Sequence, residues 1–500
     1  MKKGIKNIIW SIIGQFITMA IGILIPRLVI VSYSSEINGL LNMASQIVTY
    51  LALLEAGVGA ASLQALYNPI SQNDRDSIDA VLAATDRYYK KTGTIYLLCL
   101  TCLSLIYPLI ITSSLDYWFV VAIIFICGVP NVVNYLFQGK LKILINAYGY
   151  NYFLTNLNTV TTCIASTVKI TLLLCHFNVL YVQAMYCGIS LLQMVVISAF
   201  IKRKFPWLNL KVQPNFKAVN QKNAALIHQI CGLITSCTDV VVLSIFCSLE
   251  VASIYAIYNM VFNIVANISG SVNNGLQYEF GQRFYKGRDT YLRFINTYET
   301  YYMALNMALM LVTFLLITPF IKLYTAGADI DYVDVLLPLL FAVIKILESM
   351  RNASLNTNSV AGYFKQTQKH AIIESIINLG FSLIAVNIVG IYGVLLGTIV
   401  AFLYRNVVAI SYANHVILKR KNARYIALCL TDISVFILLS LLWNIVEIEI
   451  LSYYQFFIVA IIVTPISLII FFAINSLLNR ESFKMVVKVI KSKWSERIKR

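Results

Sequence analysis

The sequence predicts an all-α polytopic membrane protein of about 14 transmembrane helices, with two six-helix lobes related by a pseudo-two-fold axis along the membrane normal and two further C-terminal helices. Three observations predict it. Fourteen apolar stretches, each near the roughly 20 residues that a spanning helix needs, fill nearly the whole chain. Of the 39 Lys and Arg residues, 34 fall in every second gap between them, Arg351 being counted at the inner interface. The composition is 59% hydrophobic and 12% charged, about half the charged fraction of a soluble domain.

In chain order the expected spans are 8–31, 40–66, 92–113, 117–138, 155–175, 179–201, 225–247, 252–274, 297–319, 334–357, 371–388, 391–412, 426–445 and 455–477. The first carries no A-x-A-like cleavage site and is retained as a helix rather than a signal peptide. The second is long enough to tilt or break. With the N-terminus (Lys2, Lys3, Lys6) inside, the outer gaps hold only Lys322 among basic residues, together with Glu36, Asp116, Glu250, Asp329, Asp331, Glu447 and Glu449. Both termini are therefore expected on the cytoplasmic side. The net charge of +17 is an orientation signal facing anionic membrane lipids, not a nucleic-acid footprint.

The segment Lys202–Asn223, with six basic residues, Pro206 and Pro214, divides six spans from eight. The expected domains are 1–224 and 225–425 as six-helix lobes, and 426–500 as two more helices with a basic tail. A slide of 214 residues places Ser34, Glu36, Ile37 and Gly39 on Ser248, Glu250, Val251 and Ser253, as a parallel repeat requires. The substrate path is then expected between the lobes. Ile78, Val81 and Leu82, among Asp74, Asp76, Asp79 and Asp86, read as an amphipathic surface helix over 71–91, a solvated connector.

The ten cysteines lie in or beside apolar spans and read as small filler rather than metal ligands, and no metal site is expected. The four histidines (His176, His228, His370, His415) are scattered one per region. Nucleotide-binding, metalloprotease and hydrolase motifs are missing, and the longest outer loop, Phe320–Tyr332, leaves little room for a soluble active site. An enzyme such as a membrane polymerase or ligase is therefore not expected; movement of a substrate through the bilayer is. Gly390, Gly393 and Gly397 mark close helix packing. The 31 tyrosines divide between interfacial belts and the walls of polar cavities.

Charges inside spans are the best pointer to function, since each costs about 2.5–3.5 kcal/mol on insertion scales. Arg27, Lys169, Lys345 and Arg405 are the basic ones, and Glu55, Asp239, Glu348 and Glu374 the acidic ones. The cations suit a cavity that admits an anionic headgroup, Arg gripping phosphate bidentately. The plainer reading is internal ion pairs, as Lys345, Glu348 and Arg351 at i, i+3 and i+6 allow. The carboxylates are candidates for H⁺ or Na⁺ coupling, Asp239 among Thr235, Ser236, Thr238 and Ser244, and Glu55 before Ala56-Gly57-Val58-Gly59, where a helix break would add carbonyl ligands. Pairing of Glu55 or Asp239 with a facing Lys or Arg is the alternative. No other cofactor is expected.

Pro26-Arg27, Glu36-Ile37-Asn38-Gly39-Leu40, Glu55-Ala56-Gly57-Val58-Gly59 and Tyr392-Gly393-Val394-Leu395-Leu396-Gly397-Thr398, in a 6+6+2 plan, give a chain-long likeness. It resembles the Wzx-type polysaccharide repeat-unit flippases of the multidrug/oligosaccharidyl-lipid/polysaccharide exporter superfamily, departing at Tyr33-Ser34-Ser35, where relatives often carry Leu-Gly. The resemblance implies alternating access through a cationic cavity between V-shaped lobes, Arg27 standing where relatives place a cavity cation. The implied cargo is an undecaprenyl-pyrophosphate-linked oligosaccharide, moved across the bacterial cytoplasmic membrane for capsule, O-antigen or exopolysaccharide assembly beside a polymerase and glycosyltransferases. A lipid II flippase and a cation-coupled multidrug extruder of the same superfamily are the alternatives.

Overall fold

The computed structural model describes residues 21–55, 58–216, 223–443, 445 and 448–488. Among them all regular structure is helical, with no strand, and each of the 14 expected spans has a helical counterpart. Ten helices are long and apolar enough to cross a membrane by themselves. The other four expected spans, the first, second, seventh and tenth, are not among these ten. Only α1 (Ile21–Ser32) of the first is described, and α9 (Asn223–Phe246) has its apolar run at Cys237–Phe246. The second and tenth are each interrupted.

The chain forms two compact units, one running to Ala256 and including Gly327–Ile330, the other made of Ile257–Ala326 and the chain from Asp331 onward. In the first unit α2 (Ser35–Leu51) is capped by Ser34, whose side chain accepts from the Ile37 N–H. It tightens into a 3-10 turn at Ala52–Glu55, and α3 (Val58–Ser71) follows. Ala56 and Gly57, part of the break expected from the sequence, lie outside the described residues. Next come α4 (Arg75–Ile106), α5 (Tyr117–Val133) running through a π-helical turn into α6 (Gly139–Ala147), α7 (Asn151–Leu174), α8 (Val179–Lys204) and α9. The helix α10 (Leu249–Gly275) crosses from one unit to the other. Within the first unit α9 packs on α2.

The segment expected as a solvated surface helix is the start of the third span instead. From Arg75, α4 runs unbroken for 32 residues, and Ile78, Val81 and Leu82 are buried in protein rather than against headgroups. The connector after α8 folds back on this stretch: the Asn209 N–H donates to Asp79, the Asn215 N–H to the Ala80 carbonyl, and Arg75 lies over the Trp207 ring. The apolar stripe of this helix stays buried because α3 and α6 cover it.

The acidic turn before α2 is held by its own chemistry. Glu36 accepts from Ser113 and from the N–H and hydroxyl of Ser114, while the Ser35 N–H donates to Asp329 at 3.0 Å. The Asn38 amide donates to Ser253 at 2.7 Å, and a Cβ on Gly39 would run into the Leu249 carbonyl. The two turns that the 214-residue slide superposes therefore lie against one another.

The second unit contains α11 (Gln277–Tyr285), α12 (Arg288–Tyr324), α13 (Leu337–Met350), α14 (Asn352–Val360), α15 (Phe364–Val389), α16 (Ile391–Tyr412), α17 (Ala423–Trp443) and α18 (Tyr453–Leu478). Both α17 and α18 pack on the 37-residue α12. α15 and α16 pack closely: a Cβ on Gly393 would strike the Ala385 backbone, and one on Gly397 would strike Ser382. Gly390 differs from its expected role. A Cβ there would meet nothing, and the residue serves the turn through its positive φ of 58°.

Candidate functional site

In the second unit the charges gather where α13 ends. Arg351 stands at the join of α13 and α14; its guanidinium donates to Glu374 on α15 and lies 4.0 Å over the Phe402 ring of α16. Arg405 on α16 reaches the other oxygen of the same carboxylate, Nε to Oε2 3.4 Å, and donates to the Thr367 carbonyl. One carboxylate thus serves two guanidiniums, with Glu374 8% and Arg405 5% exposed. Ions this desolvated persist only with close pairing.

Less than two turns earlier on α13, Lys345 Nζ donates to Glu348 Oε2 at 2.9 Å. The lysine side chain is 11% exposed and its partner 43%. The i, i+3 half of the internal pairing expected from the sequence is therefore present, but Arg351 turns to Glu374 on another helix. Three cations (Lys345, Arg351, Arg405) against two carboxylates (Glu348, Glu374) leave one positive charge in surplus.

In the first unit Arg27 is half-buried on α1 and engages a neighbouring group. Lys169 on α7 finds no carboxylate within ion-pair reach among the described residues; it donates to the Gln183 amide oxygen at 3.2 Å and lies 5.1 Å from the centre of the Tyr186 ring. Gln183 in turn donates to Cys127 Sγ at 3.3 Å, so a neutral amide and an aromatic face are what support this ammonium.

Glu55, at the end of the 3-10 turn, accepts a hydrogen bond from the Tyr89 hydroxyl. The Tyr89 ring lies over Gly139, where a Cβ would collide with it, and a Cβ on Gly59 would stand 2.7 Å from the Glu55 Oε1. Glycines at 59 and 139 give the carboxylate and the ring their room. Among the described residues no basic side chain lies within ion-pair reach of Glu55.

Asp239, 3% exposed on α9, accepts from the Tyr255 hydroxyl at 2.7 Å. The hydroxyls around it in sequence are engaged elsewhere: Thr235 donates to the Cys231 carbonyl, Thr238 pairs with Tyr50, and Ser244 pairs with Tyr107. Of the histidines, His370 meets the Tyr404 hydroxyl at 3.0 Å and His415 meets Ser411 at 3.2 Å. The His228 side chain is outside the described set. Among the described residues no three His, Cys, Asp or Glu side chains gather around a possible metal position.

Solved structures of known proteins share this arrangement of helices. The lipid II flippase MurJ in an inward closed conformation superposes with a TM-score of 0.69, over 95% of this chain and 99% of that one, at 13% identity. The fold is shared with MurJ. The MATE multidrug transporter DinF-BH superposes at 0.53 over 83% of this chain and 95% of that one, at 13% identity. An inward-facing MATE transporter of the MOP superfamily gives 0.51 over 79% and 94%, at 14% identity. No family model and no curated protein matches the sequence. The solved structures that share this MurJ-like fold are described as transporters and a flippase, not as enzymes.

Two buried carboxylates belong with the in-span charges although the sequence reading passed over them. Glu299 on α12, 2% exposed, is held by Arg420 and Arg424. Asp432 on α17 is fully buried; it accepts from the Asn475 amide at 2.6 Å, and its Oδ2 has no hydrogen-bond partner among the described residues. Both sit inside expected spans, 297–319 and 426–445, so the same rule that found Glu374 finds them. Because no cation among the described residues pairs with Asp432, Asp432→Asn is expected to hold or raise the thermal unfolding midpoint at neutral pH, the new amide oxygen still accepting from Asn475. A clear fall in that midpoint would show that the carboxylate is compensated.

Proposed function

We propose that the chain is a flippase that moves an undecaprenyl-pyrophosphate-linked oligosaccharide repeat unit from the inner to the outer leaflet of the bacterial cytoplasmic membrane, with both termini cytoplasmic. The observation that carries this reading is the unbalanced positive charge within the spans: a surplus around Lys345, Arg351 and Arg405, and Lys169 supported among the described residues by neutral groups. Such charge favours an anionic cargo, and a diphosphate answers it. The resemblance of the Pro26-Arg27 and Glu55–Gly59 motifs supplies the oligosaccharide-lipid class.

Within this reading Lys345 is the cation best suited to exchange partners. Its one carboxylate, Glu348, is the more exposed member of the pair and can be displaced by phosphate. Arg405 and Arg351 are more deeply committed to Glu374 and act by holding α13–α14, α15 and α16 in register. Arg27 and Lys169 are the headgroup cations of the first unit. Glu55 is the favoured ion-coupling residue, since its partner is a neutral hydroxyl and its carboxylate remains available to H⁺ or Na⁺. Cations that bind the headgroup equally in every state set no direction, so direction comes from that coupled ion or from removal of product.

A lipid II flippase is the second reading, favoured by the near-complete superposition on MurJ. A multidrug extruder for cationic compounds is disfavoured by the same positive surplus. Arg27→Ala with Lys345→Ala is expected to abolish surface polysaccharide in the native host while the protein stays in the membrane at normal level. Normal polymer from the double variant refutes their role; loss of viability with normal polymer supports the lipid II reading.

A further inference from the structure

The second unit carries a second basic feature, apart from the in-span charges. At one end of α12, α17 and α18 lies an open cavity of about 1260 Å³, above the roughly 300–1,000 Å³ of ordinary small-molecule sites. Arg293 from α12, Arg424 from α17, and Arg480, Lys484 and Lys488 from the helical stretch after α18 line it, against one carboxylate, Glu481. Arg424 is shared, reaching Glu299 at 3.4 Å and Asn479 at 3.1 Å. The other four cations have no carboxylate within ion-pair distance among the described residues, and each is exposed.

The cavity is continuous with an apolar surface. Leu477 and Leu478 on its rim are 69% and 59% exposed, and Ile469, Ile466 and Ile462 continue the exposed row along α18 into the span. A cationic cup at the end of a lipid-facing helix fits an amphiphile with an anionic head and acyl chains, more than it fits a free anion.

We propose that this cavity is a binding site for the phosphate headgroup of an anionic diacyl phospholipid, whose chains lie along α18. By the distribution of Lys and Arg this end faces the cytoplasm, the leaflet in which anionic headgroups attract basic clusters. The site is separate from Lys345, Glu374 and Arg405 and does not depend on which lipid the protein carries. The bound lipid would tie the start of α12 to the end of the α17–α18 pair; there the Thr297 hydroxyl already meets the Met485 sulfur at 3.3 Å.

The test uses the full-length chain in zwitterionic detergent, with the thermal unfolding midpoint followed as phosphatidylglycerol, phosphatidylcholine or inorganic phosphate is titrated in. Phosphatidylglycerol is expected to raise the midpoint, and the other two to leave it unchanged. In R293Q/K484Q/K488Q the apparent affinity for phosphatidylglycerol is expected to fall on the order of a hundredfold, each surface cation being worth about fivefold. K202Q/R203Q, which removes exposed cations at the end of α8, should retain the full response. Wild-type affinity in the triple variant, an equal shift with phosphatidylcholine, or a shift with inorganic phosphate alone would each overturn the proposal, the last by showing a free-anion site.

Discussion

Replacing Glu374 by glutamine is expected to cost about 3–5 kcal/mol, the cost of stranding a buried ion by removing its partner. The substitution keeps the side chain's shape and one acceptor oxygen, so what disappears is the negative charge that two buried guanidiniums share. Arg405 keeps its contact with the Thr367 carbonyl, at 3.4 Å, and Arg351 the face of Phe402. Neither replaces a carboxylate in a desolvated place. Thermal unfolding in detergent reads the loss, and the double variant Glu374→Gln/Arg405→Gln should recover part of it, since one stranded cation is removed with the anion. A Glu374→Gln protein as stable as the wild type would mean that water reaches the cluster and screens it.

Gly39→Leu is expected to separate the two turns that meet in the first unit. The obstacle is backbone, the Leu249 carbonyl, which cannot rotate away as a side-chain tip can. Even Gly39→Ala adds a carbon where there is no space, an overpacking cost of about 1–3 kcal/mol. Leucine exceeds what a small shift of α2 can absorb. The readout is a disulfide between Asn38→Cys and Ser253→Cys, whose native side chains are 2.7 Å apart. It should form readily with Gly39 present and fail in the Gly39→Leu background. Equal cross-linking in both would show that the crossing is loose.

Much of this architecture was legible because a bilayer imposes length and charge rules that survive without any aligned relative. Each expected span has its helix, and the tolerance for a break near Glu55 was visible in the glycines that follow it. The partners of the charges were not legible. Sequence spacing pairs Lys345 with Glu348 correctly but cannot see that Arg351, at the end of α13, is closer to Glu374 on a different helix. Nor can it see that Glu55 meets Tyr89 rather than a cation. The helix over 71–91 was misplaced because its alternation of aspartates and apolar residues looks the same whether lipid headgroups or α3 and α6 cover the apolar face. Gly390 and Gly393 look alike in a G-x-x-G string; only the backbone reveals that one turns the chain and the other admits a neighbour. Asp432 needed no structure, only a strict count of ionisable residues inside each span.

The most direct measurement is translocation in proteoliposomes holding the purified protein and an undecaprenyl-pyrophosphate-linked oligosaccharide, scored by the appearance of the sugar on the far leaflet. The account predicts protein-dependent translocation that is lost in Arg27→Ala/Lys345→Ala and retained in K202Q/R203Q. Translocation at the wild-type rate by the Arg27→Ala/Lys345→Ala protein, or transport of cationic dyes with no movement of the anionic lipid, would contradict it.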